Sequence, residues 1–319
     1  MVNKMPGSLF VVAFGGPTPG CCGRVDPCPG EAFCFVSGIF GHNPARQARV
    51  DEVVAHYREL GGFSRFNEIT ETQARAVGEE LARRGHKLRV VVGYDHWHPH
   101  IQDKVADLQG DFVTLVMSPH QSSVSWDGYL KRVSEGLEKL PENKRPRWAG
   151  VVEPWWNKAG FIEALADRAR HAARKLNVDF ARNTTGLLLS AHAVPMPVAR
   201  TAPYVDQIRE TARLVAERLN AANWLVGFQS APSDSRIEWT TPFLDRAMDE
   251  LAEAGAQAVV AVPVGFLCDN VEVLYDLGIE GARKAEALGV PFAAAEAVND
   301  HPAFIGLLAD QVEAALKKA

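Results

Sequence analysis

The chain has 319 residues, 47% hydrophobic and 23% charged, with a formal net charge of −5. That length accommodates about two domains and a large buried core. The charge balance and the absence of a Lys/Arg block exclude nucleic acid as the expected partner. The longest early apolar run is too short for a signal-peptide core or a membrane span, so a cytoplasmic protein with no transmembrane segment is expected.

Residues 9–14 read as a first buried strand. The Gly15-Gly16-Pro17 that follows can bring backbone close to a ligand. No G-x-G-x-x-G follows any strand and no G-x4-G-K-S/T occurs, so no nucleotide cofactor is expected. Next comes a loop with Cys21, Cys22, Cys28 and Cys34, spaced C-C-x5-C-x5-C. With Cys268 the count is odd, which argues against a disulfide framework. The spacing lacks the C-x2-C pairs of common zinc sites. Reduced loop thiols are one reading, and an iron–sulfur or other metal site is the other.

Val50, Val53, Val54, Tyr57 and Leu60 fall on one helix face. Gly61-Gly62-Phe63-Ser64, with Asn67 and Thr70, leads into a helix expected to begin near Ile69. Its free N–H groups can receive an anionic group, or the segment is simply a turn and cap. A second strand, residues 88–94, precedes Asp95-His96-Trp97-His98-Pro99-His100. Three histidines in five residues can bind a metal. The alternative is a polar loop with the His96 or His100 ring packed under Trp97. A third strand, 112–118, runs into Pro119-His120-Gln121-Ser122-Ser123, which either lines a ligand cleft or caps the next helix through Ser122 or Ser123. A loop at 140–147 precedes the fourth strand, 148–153. Trp126, Tyr129, Trp155, Trp156 and Phe266 lie near strand ends or in the loops that follow. There they can pack on a flat apolar ligand or in the core.

In the second half, strand 186–191 delivers His192 at its carboxyl end, within Ser-Ala-His-Ala-Val-Pro. A histidine can be neutral near pH 7 and can act as base or metal ligand. It can equally be a hydrogen-bonded core residue. Val205, Ile208, Ala212, Val215 and Leu219 mark a helix, 224–229 a strand, and Phe243, Leu244, Ala247, Met248 and Leu251 another helix. Strand 258–264 leads to Glu272, Asp276 and Glu280, spaced i, i+4, i+8, with no Lys or Arg in 266–282. On a helix these carboxylates fall close to one face and repel each other. They suit a divalent cation or protons, or form a solvated acidic face. The apolar Val271, Val273, Leu274, Leu277 and Ile279 between them argue for burial, where a carboxylate needs a partner, a metal or a proton. Strand 290–295 and a helix carrying Phe304, Leu307, Leu308, Val312, Ala315 and Leu316 close the chain.

This alternation predicts an α/β protein of two Rossmann-like domains, each a four-stranded parallel sheet flanked by helices. The expected boundaries are 1–154, joined by the carboxyl-terminal helix 301–319, and 155–300, which carries His192 and Glu272. Ligands of such sheets bind at strand carboxyl ends, and a cleft between the halves is expected.

Several segments, in order, resemble the ferrochelatase family, enzymes that insert Fe2+ into a porphyrin. They are Phe14-Gly-Gly-Pro17, Tyr57-Arg-Glu-Leu-Gly-Gly-Phe-Ser64 with Asn67 and Gln73, and Gly93 with Trp97-His-Pro99. Then come Pro119-x-x-Ser122, Ser190-Ala-His192-x-x-Pro195 and Phe228-Gln-Ser230. Longest is Pro263-x-Gly-Phe-x-x-Asp269-x-x-Glu272-x-Leu-Tyr-Asp276 with Glu280. The resemblance covers nearly the whole chain and implies a chelatase-like pair of Rossmann-like domains. It implies His192 and Glu272 as the catalytic pair, and His192, Glu272, Asp276 and Glu280 as a metal or proton path. Porphyrin contacts are implied at Gly15, Gly16, Pro17, Ser64, Pro119, Ser122 and Phe266. The implied partners are a porphyrin, coproporphyrin III or protoporphyrin IX, and ferrous iron as substrate.

The sequence departs from the family at three places. Arg65 stands where proline is usual, Ala193 where glycine is usual, and the loop after Gly-Gly-Pro is rebuilt with four cysteines. Some relatives carry a 2Fe–2S cluster on cysteines near the carboxyl terminus, where this chain has none beyond Cys268. The chain lacks the extension of those dimeric relatives, so a monomer is expected. Competing expectations are a chelatase for another tetrapyrrole or metal, a non-catalytic haem-binding paralogue, and a periplasmic-type metal-binding protein.

Overall fold

A computed structural model describes residues 7–20, 30–232 and 235–318. Strands β1 (Ser8–Ala13), β2 (Arg89–Tyr94), β3 (Phe112–Val116) and β4 (Trp148–Val151) form one sheet, in the order β2-β1-β3-β4. Strands β5 (Thr185–His192), β6 (Asn223–Gln229), β7 (Ala258–Pro263) and β8 (Phe292–Ala294) form a second, in the order β6-β5-β7-β8. All pairings are parallel. The eight strands expected from apolar runs are all present, four to each sheet.

Each sheet reverses direction at its first strand. The chain steps from β1 to β2 on one side and returns to β3 on the other, and β5 stands in the same relation to β6 and β7. In open α/β sheets this switch point leaves a crevice beyond the strand's carboxyl end. Gly15-Gly16-Pro17 follows β1, and His192 ends β5.

The described chain divides into two compact units. One holds residues up to Met117, Ser125–Glu153 and the chain from Leu308. The other holds Ser118–Val124 and Pro154–Leu307. In the first, Phe10 and Phe112 meet edge to face at 6.2 Å and pack with Val12, Val116, Trp126 and Val133. In the second, Leu188, Val259 and Ala261 pack on Ala247, Met248 and Leu251 from the helix Leu244–Glu253. Nearby, the fully buried Trp155 lies 5.2 Å from Phe161 and 5.3 Å from Phe304, ring to ring. Truncating an aromatic in such a site leaves a cavity, so Trp155→Ala is expected to lower unfolding free energy by about 3–5 kcal/mol. Denaturant unfolding measures this, and a loss under about 1 kcal/mol would show a site that relaxes freely.

Two helix starts differ from expectation. The helix Phe66–Arg83 begins three residues before Ile69; just ahead of it the Ser64 hydroxyl accepts the Phe66 N–H at 3.2 Å. The helix Trp126–Lys139 is preceded by Ser125, not by Ser122 or Ser123. The loop before it is tied elsewhere: Gln121 and Gln207 exchange two hydrogen bonds of 2.8 Å. No helix among the described residues is long and apolar enough to cross a membrane.

Candidate active site

His192 stands at the end of β5, with Gln229 of β6 beside it in register. Its Nδ1–H donates to the Ala193 carbonyl, which leaves Nε2 as the outward pole. Nε2 lies 3.5 Å from Glu272 Oε1, and both side chains are just over one-third exposed. Burial pushes the imidazole toward its neutral form. The Glu272 charge opposes this and prevails, with smaller help from the Ala193 carbonyl and Asp276, so the pKa is raised to about 9. His192 is therefore an imidazolium at neutral pH. The sequence left the charge of the ring open; Glu272, eighty residues along the chain, sets it toward the charged form.

Gly265 lets the loop after β7 cross the end of β5. A Cβ there would come within 2.9 Å of the Ala191 backbone, and the Gly265 N–H donates to the Ser190 carbonyl at 3.1 Å. The loop is then clasped: Asp269 accepts from Ala297 N–H at 2.8 Å and from Asn299 Nδ2 at 2.7 Å. From this fixed start Glu272 leads into a π-helical segment, Val273–Glu280, rather than an α-helix. Such wide turns are rare and gather at functional sites.

Asp276 is buried, and Ser230 Oγ–H donates to its Oδ2. Burial raises its pKa to about 7; the Ser230 bond and His192 oppose the rise, while Glu272 and Glu280 add to it. Glu280 is exposed, so the row runs from a half-buried carboxylate through a buried one to solvent. Leu274, expected inside, is 42% exposed. A cavity of about 740 Å³ in the second unit adjoins the row, lined by Phe228, Trp239, Phe243, Asp276, Glu280 and Lys284 among others. Nothing in the spacing of Trp239 marked it as a wall of this cavity.

In the first unit Gly15, Gly16 and Pro17 are buried and Ser64 half-buried. Gly15 has φ +93°, and a Cβ would meet Tyr94 Cβ at 2.9 Å. The Gly16 N–H donates to Asn67 Oδ1 at 2.9 Å, and the Ser64 N–H donates to the Pro17 carbonyl at 3.0 Å. One buried amide thus joins the two glycine segments. His98, not His96 or His100, lies against Trp97, with centroids 4.8 Å apart; His96 packs on Phe14 at 4.5 Å. Among the described residues no group of three or more His, Cys, Asp or Glu could hold a metal ion. Cys21, Cys22 and Cys28 lie outside the described residues, and Cys34 is buried in the helix Glu31–Ile39.

Pro119, Ser122, Trp155 and Phe266 belong to the second unit and are buried; Trp126 and Tyr129 are buried in the core of the first. The structure thus gathers His192, Glu272 and Asp276 into one electrostatic cluster opening to Glu280.

The ferrochelatase family model matches residues 40–316. A ferrochelatase from Deinococcus radiodurans is 33% identical over 320 residues, spanning 98% of this chain and 97% of its own. A coproporphyrin III ferrochelatase from Oceanobacillus iheyensis is 32% identical over 287 residues, 88% of each chain. Among solved structures, SirB from Bacillus subtilis with Fe3+ superimposes with a TM-score of 0.58 at 13% identity, over 98% of this chain and 96% of that one, a likeness of fold alone. On the family match and these identities, the chain belongs to the ferrochelatase family.

Proposed function

We propose that this chain inserts Fe2+ into a porphyrin in haem biosynthesis, releasing two pyrrole protons, with His192 and Glu272 at the reacting centre. The observation that carries the reading is the His192–Glu272 pair, 3.5 Å apart at a switch-point strand end and backed by Asp276. The reaction must strip water from the cation, bend a planar ring and remove two protons.

A divalent cation reaching the pair opposes the imidazolium charge and drives its proton off, as cation binding to protonated ligands does. Asp276, with a pKa of about 7, is matched to receive that proton near neutral pH. Glu280, exposed behind it, hands the proton to water. As iron leaves the pair for the ring, the His192 Nε2 lone pair takes the two pyrrole protons in turn, Glu272 stabilises the imidazolium each time, and each proton passes on through Asp276 and Glu280 to water. Glu272, Asp276 and Glu280 are carboxylate stations for the metal on the same route. Gly15, Gly16, Pro17, Ser64, Pro119, Ser122 and Phe266 are proposed to bound the porphyrin, and the cytoplasm is the proposed location.

The test is anaerobic absorbance of the protein with Fe2+ and, in separate cuvettes, coproporphyrin III and protoporphyrin IX. Conversion of the free-base to the metalloporphyrin spectrum names the substrate. No acceleration over the protein-free control with either porphyrin, in a folded preparation, sinks the proposal. The relay also fixes a pH dependence. Asp276 accepts a proton only as a carboxylate, so the insertion rate should fall by up to about tenfold per unit as pH drops below about 7. Asp276→Asn should remove that limb from the profile, and an unchanged profile in the variant would assign the proton to another group.

A further inference from the structure

We infer that Tyr204 and Gln229 are positioning residues for the His192–Glu272 pair, each holding the backbone carbonyl of one member. The inference rests on the reading of that pair given above. The Tyr204 hydroxyl donates to the His192 carbonyl at 2.9 Å. Gln229 Nε2 donates to the Glu272 carbonyl at 2.8 Å. The two donors come from different elements, the first residue of the helix Tyr204–Leu219 and the last residue of β6.

Both donors are themselves fixed. Tyr204 is buried, and its ring meets that of His120 edge to face at 6.2 Å. His120 is fully enclosed, which drives its pKa down to about 3 and keeps the ring neutral. Its Nε2–H donates to Thr211 Oγ1 at 2.9 Å, and Thr211 donates to the Trp156 carbonyl at 3.1 Å. Burial also raises the Tyr204 pKa, so its hydroxyl remains a donor throughout the working pH range. Gln229 is the register partner of His192, and its own carbonyl accepts the Ala193 N–H at 2.8 Å. One glutamine therefore grips the strand end that carries the imidazole and the helix start that carries the carboxylate.

The chemistry of Gln229 supports a role beyond packing. Its Oε1 is buried with no partner among the described residues. An unsatisfied buried oxygen is destabilising, and an apolar side chain of similar shape would avoid that cost. What the amide contributes in exchange is its bond to Glu272. Residues that orient chemically active groups are commonly worth about 10–100-fold in activity or metal affinity. Here the quantity they set is the gap between imidazole and carboxylate.

The experiment uses the full chain with Tyr204→Phe and Gln229→Met, each of which keeps bulk and removes one donor, and with His192→Ala as reference. Steady-state iron insertion is followed together with thermal melting. The expected result is a fall in kcat of about 10–100-fold in each folded variant. KM for porphyrin and iron should stay within about threefold, since neither residue is placed against substrate. Because the variants lie on separate elements, failure of one to fold leaves the other decisive. Wild-type kcat in a folded variant, or a raised KM with kcat intact, while His192→Ala is inactive, would overturn the inference and leave the reading of the pair standing. Full activity in His192→Ala would overturn that reading and the inference with it.

Discussion

Replacing His192 by alanine is expected to slow iron insertion by about 10²–10⁴-fold, the range that a positioned general base contributes. In the proposed mechanism the imidazole holds a proton and releases it when a cation arrives. Its Nδ1–H is committed to the Ala193 carbonyl, so Nε2 is the atom that exchanges. Porphyrin KM should change little, because the proposed porphyrin contacts are made by other residues. The protein should remain folded. Glu272 is 38% exposed, and water covers it when its partner is gone. An ion pair this exposed contributes about 0–1 kcal/mol to stability. Stopped-flow absorbance under anaerobic conditions measures the rate. A variant within about tenfold of wild type would remove His192 from the proton path.

Glu272→Gln should have two linked effects. The pKa of His192 should fall from about 9 to below its ordinary value of 6.5, because burial still disfavours the charged ring and the opposing carboxylate is absent. The pair, an imidazolium beside a carboxylate in the wild type, becomes a neutral ring beside an amide. It then loses its negative station for the cation, and insertion should fall by about 10²-fold or more. The linkage has a definite sign. In the wild type the raised pKa favours the folded state below pH 6.5, and that contribution is lost as pH rises through about 9. In Glu272→Gln the sign reverses: with the folded-state pKa below 6.5, His192 disfavours the folded state in acid, and that cost vanishes as pH rises through 6.5. An NMR titration of His192 in both proteins decides the matter. A value still near 9 in the variant would assign the shift to the Ala193 carbonyl or Asp276.

The strands were legible because parallel strands covered on both faces read as continuous apolar, β-branched runs. Residues 186–191 and 258–264 are such runs, and Leu187, Leu188, Val259 and Val260 are fully buried. The acidic row was legible from its four-residue spacing. Its π-helical path was not, since four-residue spacing keeps side chains on one stripe in either helix. The state of His192 was hidden for a different reason. Its proton affinity is set by Glu272 and Asp276, brought near only by the fold. The same holds for Ser230 on Asp276 and Asn67 on Gly16, which are tertiary bonds without local pattern. The helix also starts earlier than the sequence suggested, at Phe66 rather than near Ile69. The row Cys21, Cys22, Cys28 falls outside the described residues.

The two sheets share one strand order, so the chain states the same architectural sentence twice and ends it differently. After β1 the sentence closes on Gly15-Gly16, bare backbone with no side chain to offer; after β5 it closes on an imidazole. The first ending offers only backbone, the second an ionisable side chain. Substitutions at the two corresponding places should therefore fail in opposite ways. At Gly15 an added Cβ would meet Tyr94 Cβ at 2.9 Å on a backbone with φ +93°, and at Gly16 it would press on Phe66 and Ser64 at 3.1 Å, whatever its chemistry. At His192, a partly exposed side chain, a substitution removes the ionisable ring rather than meeting a steric limit of the backbone.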